Sequence, residues 1–263
     1  MIRAILLWLA LACSAQAEEM RLAVTTSFEN SGLAEVLIPA YEAASGDNVR
    51  VVVVGTGRAL SLGEAGDVDA VLTHAPGAEE AAVAAGHFSH RREIMYNDFV
   101  LLGPKGDPAG IRNATSASDA LHSIAAAQAI FASRGDQSGT HKAELAIWES
   151  AGIDPSSASG RWYRETGTGM GSTLNTAVVM GAYVLSDRAS WLTFGNRRDH
   201  EIVFEGDAAL WNQYAFLPVD PKRHGFVAND AAMRMEAWLA GPGQAVIAAY
   251  TLNGRSLFVP NAR

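Results

Sequence analysis

Apolar runs and amphipathic segments alternate along the first part of the chain. Residues 20–24 are predicted to form a strand, and the helix that follows ends at Gly46. The β-branched run 49–54 is typical of a strand that is buried on both faces, and 67–72 predicts a third strand. Strand, polar tip and helix repeat in this order, which predicts a doubly wound α/β sheet. The apolar positions of the first helix recur at helical spacing and are Leu33, Val36, Leu37, Ala40, Tyr41 and Ala44.

The middle of the chain repeats this order of elements. Residues 129–132 predict a strand and 138–151 a helix, which ends at Gly152. A further helix follows the glycine-rich stretch 167–171 and precedes a strand at 182–185. The helix 138–151 is expected to bury Ala143, Ile147 and either Leu145 or Trp148.

Two further apolar segments, 96–104 and 211–221, are predicted to cross between two lobes and to act as a hinge. Helices around 231–239 and 244–250 are predicted to return to the first lobe. We therefore expect an α/β protein in which each lobe is a mixed sheet flanked by helices, with the ligand between the lobes. The first lobe is expected to comprise 18–100 and 216–263, and the second lobe 101–215.

Residues 1–17 have the pattern of a cleaved secretory signal. Arg3 precedes an apolar run, and Ala15-Gln16-Ala17 fits a cleavage site, so we expect cleavage after Ala17 and export to the periplasm. The run is too short for a membrane anchor, and the residues before Cys13 fit a lipid-attachment site poorly. Because Cys13 is the only cysteine, the mature chain would have neither a disulfide nor a thiolate.

The charge of the chain argues against nucleic acid as a partner. The sequence contains 20 Lys and Arg residues and 28 Asp and Glu residues, for a formal net charge of −8. Proteins that bind nucleic acid need a basic surface. A small anion is not excluded, because a pocket can bind it through local N–H dipoles.

The stretch SRGDQSGTH, residues 133–141, has the chemistry of an anion cradle at a helix N-terminus. A bound oxyanion would accept hydrogen bonds from the free backbone N–H groups and from the hydroxyls of Ser138 and Thr140. Gly139 allows the ion to approach the backbone closely, and Arg134 supplies a forked positive charge. Asp136 would repel an anion, and we expect it to pair with Arg134. In the alternative interpretation, Ser138 is an ordinary N-cap, and Arg134 and Asp136 form an ion pair at the surface.

Three other tips have similar composition. They are Thr25-Thr26-Ser27, Gly55-Thr56-Gly57 and Gly169-Met170-Gly171-Ser172, and each alone could be a simple cap or turn. Four donor-rich tips at equivalent places indicate convergence on one oxyanion. The tip after the third strand, Thr73-His74-Ala75-Pro76, lies at the same end of the predicted sheet and is also a candidate site loop.

Enzymatic and cofactor-binding motifs are missing from the sequence. No dinucleotide fingerprint, P-loop, HExxH or G-x-S-x-G motif occurs, and the histidines have no metal-ligand spacing. Ser138, Asp136 and His141 are too close along the chain to take the geometry of a hydrolase triad. We expect no enzyme activity, no cofactor and no metal.

Several segments resemble the tungstate-binding proteins of bacterial ABC transporters, and together they cover nearly all of the predicted mature chain. This resemblance implies a two-lobed periplasmic-binding fold of the second type. It also implies that a membrane permease and a cytoplasmic ATPase are the partners. One departure is Val24, which stands where the family often has the first of three threonines, although its backbone N–H could still serve. The matching segments include TTSFENSGLAEVLIPAYE, VVVVGTGRALSLGEAGDVDAVLTHAPGAEE, SRGDQSGTHKAELAIW, ETGTGMGSTLNTA and SLFVPNAR.

The cradle is also similar, more distantly, to phosphate-binding proteins, in which an Arg-x-Asp-x-Ser-Gly-Thr pattern holds the ion. We expect a monomeric exported protein that captures tungstate and also molybdate for uptake. A phosphate or sulfate receptor of the same fold, and an anion-dependent sensor that docks on a membrane receptor, remain the alternatives. The predicted contacts are Thr25, Thr26, Ser27, Thr56, Arg134, Ser138, Gly139, Thr140, Gly171 and Ser172, with Asp136 in support.

Overall fold

The computed structural model describes residues 17–136 and 138–262. The predicted signal segment therefore lies outside the described residues, except for Ala17. In the described part of the chain, no helix combines the length and the apolar character that crossing a membrane requires.

The first part of the chain folds as parallel strands with helices between them, as the pattern predicts. β1 lies between β2 and β3 and is parallel to both. The helix predicted to end at Gly46 does so, and Gly46 adopts a φ of 79°, which favours glycine. The elements are β1 (Glu19–Thr25), α1 (Thr26–Asn30), α2 (Ala34–Ser45), β2 (Asn48–Val54), α3 (Thr56–Ala65), β3 (Ala70–Thr73) and α4 (Pro76–Ala84).

The prediction that strand 49–54 is buried on both faces is wrong. β2 pairs with β1 alone and forms the edge of the sheet, and Val53 is 40% exposed. A run of valines favours the extended backbone wherever the strand lies. It therefore predicted the strand correctly but not its burial.

The first sheet is completed by strands from later in the chain. β9 (Trp211–Pro218) pairs antiparallel with β3 on one side and with β4 (Arg92–Pro104) on the other. The order is β12-β4-β9-β3-β1-β2, where β12 is Val259–Pro260, so the sheet is mixed. One face packs on α2, α9 (Asn229–Ala240) and α10 (Gly243–Ala249), and the other on α3 and α4.

β4 belongs to both sheets and joins the two lobes. Its first half, from Arg92 to Asp98, pairs with β9, and its second half, from Phe99 to Pro104, pairs with β7 (Val184–Asp187) and β8 (His200–Phe204). The exact lobe boundaries, at 100/101 and 215/216, stay a prediction.

The second lobe has its own core. β5 pairs in parallel with β6 and exchanges backbone hydrogen bonds with Tyr183 next to β7. Trp148 is the fully buried residue of α6, whereas Leu145 is 38% exposed, which decides between the two predicted core positions. The remaining elements are α5 (Ala117–Ala126), β5 (Phe131–Ser133), α6 (Gly139–Ser150), β6 (Tyr163–Glu165), α7 (Met170–Met180), α8 (Arg188–Thr193), β10 (Thr251–Leu252) and β11 (Arg255–Ser256).

Candidate oxyanion-binding site

The four donor-rich tips meet in a cleft between the two lobes. Two adjoining cavities, of about 420 Å³ and about 470 Å³, lie in this cleft. Both are lined by Thr26 and Ser27 from the first lobe and by Arg134 and Thr140 from the second. The first-lobe pair and the second-lobe pair are more than 100 positions apart in sequence, and together they form the centre of the cleft.

The remaining predicted residues divide between the two cavities. The first cavity is also lined by Thr25, Thr56, Ser138 and Gly139, and the second by Gly171. Ser172 lines neither cavity, and its contact with the ligand stays a prediction. It is the third residue of α7 and is exposed on the helix surface outside both cavities. Val24 is fully buried in the core of the first lobe, so a hydroxyl at that position would not face the cleft.

Four helices begin at the cleft, which concentrates N–H groups and partial positive charge there. α1 begins after Thr25, whose Oγ1 accepts a hydrogen bond from the N–H of Phe28. α6 begins after Ser138, whose Oγ accepts from the N–H of His141. α3 and α7 begin after Gly55 and Gly169, which have no side chain to cap the first turn. An anion could occupy the place that a capping oxygen takes elsewhere.

Arg134 is held by Asp136, as expected. Its Nε donates to Asp136 Oδ2 at 3.1 Å, and its Nη2 donates to the same oxygen. The other carboxylate oxygen accepts from the backbone N–H of Ser138 at 3.2 Å. Burial acts to raise the pKa of Asp136, but the hydrogen bonds from Ser138 and Arg134 outweigh it and hold the pKa below its usual range. Asp136 lines neither cavity and so serves to orient the guanidinium.

Asp136 and Ser138 make the contacts of an ion pair and of a helix cap. Asp136 accepts hydrogen bonds from the guanidinium of Arg134 and from the backbone N–H of Ser138, and Ser138 Oγ accepts from the backbone N–H of His141. Among the described residues, no group of three or more His, Cys, Asp or Glu side chains could hold a metal ion.

Sequence reasoning missed several residues that line the cleft. Arg58 and Lys142 add positive charge to the first cavity, and none of the described residues that line this cavity is acidic. Asp187 lines the second cavity and caps α8, where its Oδ1 accepts from the N–H of Ser190 at 2.8 Å. Arg58 directly follows Gly55-Thr56-Gly57, so its proximity in sequence was the available signal. Asp187 is the last residue of β7, and the sequence pattern did not indicate that the end of this strand reaches the cleft.

His74 also lines the first cavity, and it belongs to the candidate loop after β3. Its Nε2 lies 2.9 Å from Ser27 Oγ, which also lies 3.3 Å from the hydroxyl oxygen of Tyr214. Burial raises the pKa of Tyr214 to about 12, so this phenol stays protonated at neutral pH. Burial lowers the pKa of His74, and the charge of Glu79 opposes this effect only in part. The imidazole is therefore neutral at neutral pH in the empty cleft.

The fold and this cleft can be compared with known proteins. A family model for the PBP superfamily domain matches residues 13–241. The tungstate-binding protein TupA of Peptoclostridium acidaminophilum is 40% identical over 246 residues, which cover 92% of this chain and 85% of that protein. The structure of the tungstate-binding protein TupA from Desulfovibrio alaskensis superposes with a TM-score of 0.89 at 42% identity, covering 94% of this chain and all of that one.

A second structure, described as the tungstate ABC transporter from Geobacter sulfurreducens, has a TM-score of 0.75 at 45% identity. The match covers 88% of this chain and 98% of that one. All three relatives are described as tungstate-binding or tungstate-transport proteins. The α/β architecture, the family model and the identity over nearly the whole chain agree, and this chain belongs to the PBP superfamily and, within it, to the family of the TupA tungstate-binding proteins.

Proposed function

We propose that this protein is an exported receptor that captures tungstate, and also molybdate, and delivers it to an ABC transporter. The observation that carries the proposal is the convergence of four helix N-termini and Arg134 on a cleft whose first cavity is lined by no acidic side chain of the described residues. Both ions are tetrahedral dianions that offer only acceptor oxygens at neutral pH. A cavity rich in donors is therefore complementary to them.

The proposed contacts follow from position in the cleft. Thr26, Ser27, Arg134 and Thr140 are placed at the centre, because both cavities include them. Ser138, Gly139 and Thr56 would contact the ion from the first cavity, and Gly171 from the second. Thr25 serves mainly as a cap, since its Oγ1 already accepts from Phe28. Ser172 is left out of the proposed set.

The energy of such a contact set is sufficient for tight capture. Nanomolar affinity requires about 12 kcal/mol. Hydrogen bonds to a charged group contribute about 1.5–3 kcal/mol each. Several of them, less the cost of drawing the lobes together, reach this value. We propose that the lobes close by bending in the middle of β4 and at the start of β9, where the chain passes between them.

Delivery of the bound ion requires that the protein be exported and that it meet a transporter. We propose that the mature protein is a periplasmic monomer, that the signal is cleaved after Ala17, and that a membrane permease with a cytoplasmic ATPase receives the ion. The names of the relatives support an oxyanion ligand and a transporter. A sensor that docks on a membrane receptor would use the same cleft. Tungsten uptake by cells that lack the gene distinguishes the two roles. Such cells would accumulate tungsten normally if the protein were a sensor.

Calorimetry of the mature protein with tungstate, molybdate, sulfate and phosphate tests the ligand. We expect tungstate and molybdate to bind tightly and millimolar phosphate to leave tungstate binding unchanged. Phosphate near neutral pH is in part a monoanion and brings a proton that a site acceptor must receive. Phosphate or sulfate that bound more tightly than tungstate would contradict the proposal.

A further inference from the structure

The hydroxyl of Ser27 lies at the centre of the cleft but is surrounded by groups of the protein itself. Its oxygen is 2.9 Å from His74 Nε2, 3.0 Å from Thr25 Oγ1 and 3.3 Å from the hydroxyl oxygen of Tyr214. A serine hydroxyl has one proton to donate. Whether that proton points to a bound oxyanion or to His74 depends on the protonation of Nε2.

Two further groups act on the ring of His74 in addition to Ser27. The Asn212 side chain and the carbonyl group of His74 both favour the protonated imidazole, as hydrogen-bond acceptors do. Asn212 uses its Nδ2 to donate to Asn97 Oδ1 at 2.7 Å, so its carbonyl oxygen is left to accept. When the neutral imidazole carries its proton on Nδ1, a bare Nε2 faces Ser27.

In that state Ser27 donates its proton to His74 and presents an oxygen lone pair to the cleft. This arrangement suits an empty site but opposes an oxyanion, which also offers only lone pairs. One additional proton on Nε2 reverses the direction of the hydrogen bond. Nε2–H then donates to Ser27 Oγ, and the Ser27 proton becomes available to the ion.

We propose that His74 is a positioning residue for the oxyanion: it takes up one solvent proton at Nε2 when the ion binds, and thereby turns the Ser27 hydroxyl toward the ion. The inference rests on the proposed function, because it concerns the same site. No covalent bond forms or breaks, and the only species transferred is the proton from water to Nε2. The bound dianion stabilises the imidazolium through its charge.

The surroundings of His74 determine the direction of the pH dependence. Glu79 of α4 and Asp187 at the start of α8 act on the ring with negative charge, and Tyr214 of β9 packs against it at a ring distance of 4.8 Å. Positive charge comes from residues that line the same cavity, namely Arg58, Arg134 and Lys142.

Burial lowers the pKa of His74 in the empty site, and a dianion in the cleft would raise it. Affinity is then highest below the pKa of the empty state. It falls as the pH rises toward the pKa of the bound state, by at most about tenfold per pH unit.

Calorimetry with sodium tungstate in buffers of different ionisation enthalpy tests this coupling. The wild-type protein should take up as much as roughly one proton per ion at pH values between the two pKa values of His74. His74→Gln should bind without proton uptake and with a nearly flat pH profile, because the glutamine amide can place an N–H toward Ser27 without titrating. Glu144→Gln is the matched control, since Glu144 is a buried carboxyl of α6 that could also titrate. It should retain the uptake.

Tungstate binding without proton uptake, or uptake that survives in His74→Gln and is lost in Glu144→Gln, would overturn the proposal. Absence of any tungstate binding would instead contradict the proposed function, and the inference with it. Nitrogen NMR of the wild-type imidazoles provides a second readout if His74→Gln does not fold. An imidazole that protonates on addition of tungstate supports the role of His74, and imidazoles that all stay unchanged refute it.

Discussion

Gly139 of the second lobe and His74 of the first lobe face each other across the cleft. A Cβ atom built on Gly139 would lie 3.3 Å from His74 Cε1, which is closer than an ordinary van der Waals contact. The glycine therefore has a packing role between the lobes in addition to its place at the start of α6. The sequence suggested only that a glycine here lets the ligand approach the backbone.

Replacement of Gly139 tests this contact. Gly139→Ala should weaken tungstate binding by about 5- to 30-fold, corresponding to about 1–2 kcal/mol of strain between the lobes in the closed state. Gly77→Ala is the matched control, because nothing lies within 4 Å of a Cβ at that position of α4. Calorimetry measures both affinities. Equal affinities for the two variants would show that His74 and Gly139 do not limit closure.

Arg134 is expected to provide the largest single contribution to binding. Arg134→Ala should weaken tungstate binding about 100-fold, because a hydrogen bond to a charged group contributes about 1.5–3 kcal/mol. Asp136→Asn should weaken it about 3- to 10-fold, as the guanidinium loses its charged partner but keeps its own charge. Wild-type affinity in a folded Arg134→Ala protein, judged by circular dichroism, would exclude Arg134 from the site.

Arg58 and Lys142 are expected to act on the rate of capture. Both line the first cavity of a chain with a formal net charge of −8, so they provide local attraction for a dianion. Arg58→Ala and Lys142→Ala should lower the association rate constant about 2- to 10-fold at low salt and by less at high salt. Stopped-flow fluorescence at several ionic strengths measures this. Arg161→Ala, at an exposed position outside both cavities, is the control and should leave the rate unchanged.

Asp98 and Arg188 join β4 to α8 at the point where β4 passes from one sheet to the other. Arg188 Nε donates to Asp98 Oδ1 at 2.7 Å, and both side chains are largely buried. Asp98→Asn should lower the free energy of unfolding by about 1–2 kcal/mol, because it leaves the guanidinium with a weaker partner. The exposed pair Lys105 and Asp199 is the control, and Lys105→Ala should change the stability little. Urea denaturation measures both.

Glu144 is expected to make the stability of the second lobe depend on pH. Burial raises its pKa to about 7, whereas the ordinary value is 4.5. Between these values the folded state binds a proton that the unfolded state has released, so stability falls as the pH rises through this window. Glu144→Gln should remove this dependence and stabilise the protein at pH 8 by on the order of 2–3 kcal/mol. The glutamine can still accept the hydrogen bond that Tyr163 donates at 2.7 Å.

Glu149→Gln, an exposed position on the same helix, is the control for the Glu144 variant. Its stability should follow the wild-type curve across pH 4.5–8, because the substitution leaves Glu144 and its buried surroundings unchanged. Thermal unfolding at several pH values gives the comparison. A Glu144→Gln protein with the same pH dependence as wild type would show that another group is responsible.

Features that depend on a few neighbouring residues were available from the sequence. Gly46 and Gly152 mark helix ends because both adopt positive φ, which a side chain disfavours. The polar tips were recognisable because each follows an apolar strand and precedes a helix start. Such local preferences act within one or two turns of chain, so they can be read without knowing the fold.

The tertiary structure decided the features that depend on which segments meet. β2 lies at a sheet edge because no later strand of the described chain pairs with its side away from β1. Ser172 lies outside the cleft because only the first two residues of α7 reach it. Ser27 and His74 are 47 residues apart, and no local pattern predicts their 2.9 Å contact. Contacts of this kind depend on how two elements pack across a sheet, and that packing is a property of the whole chain.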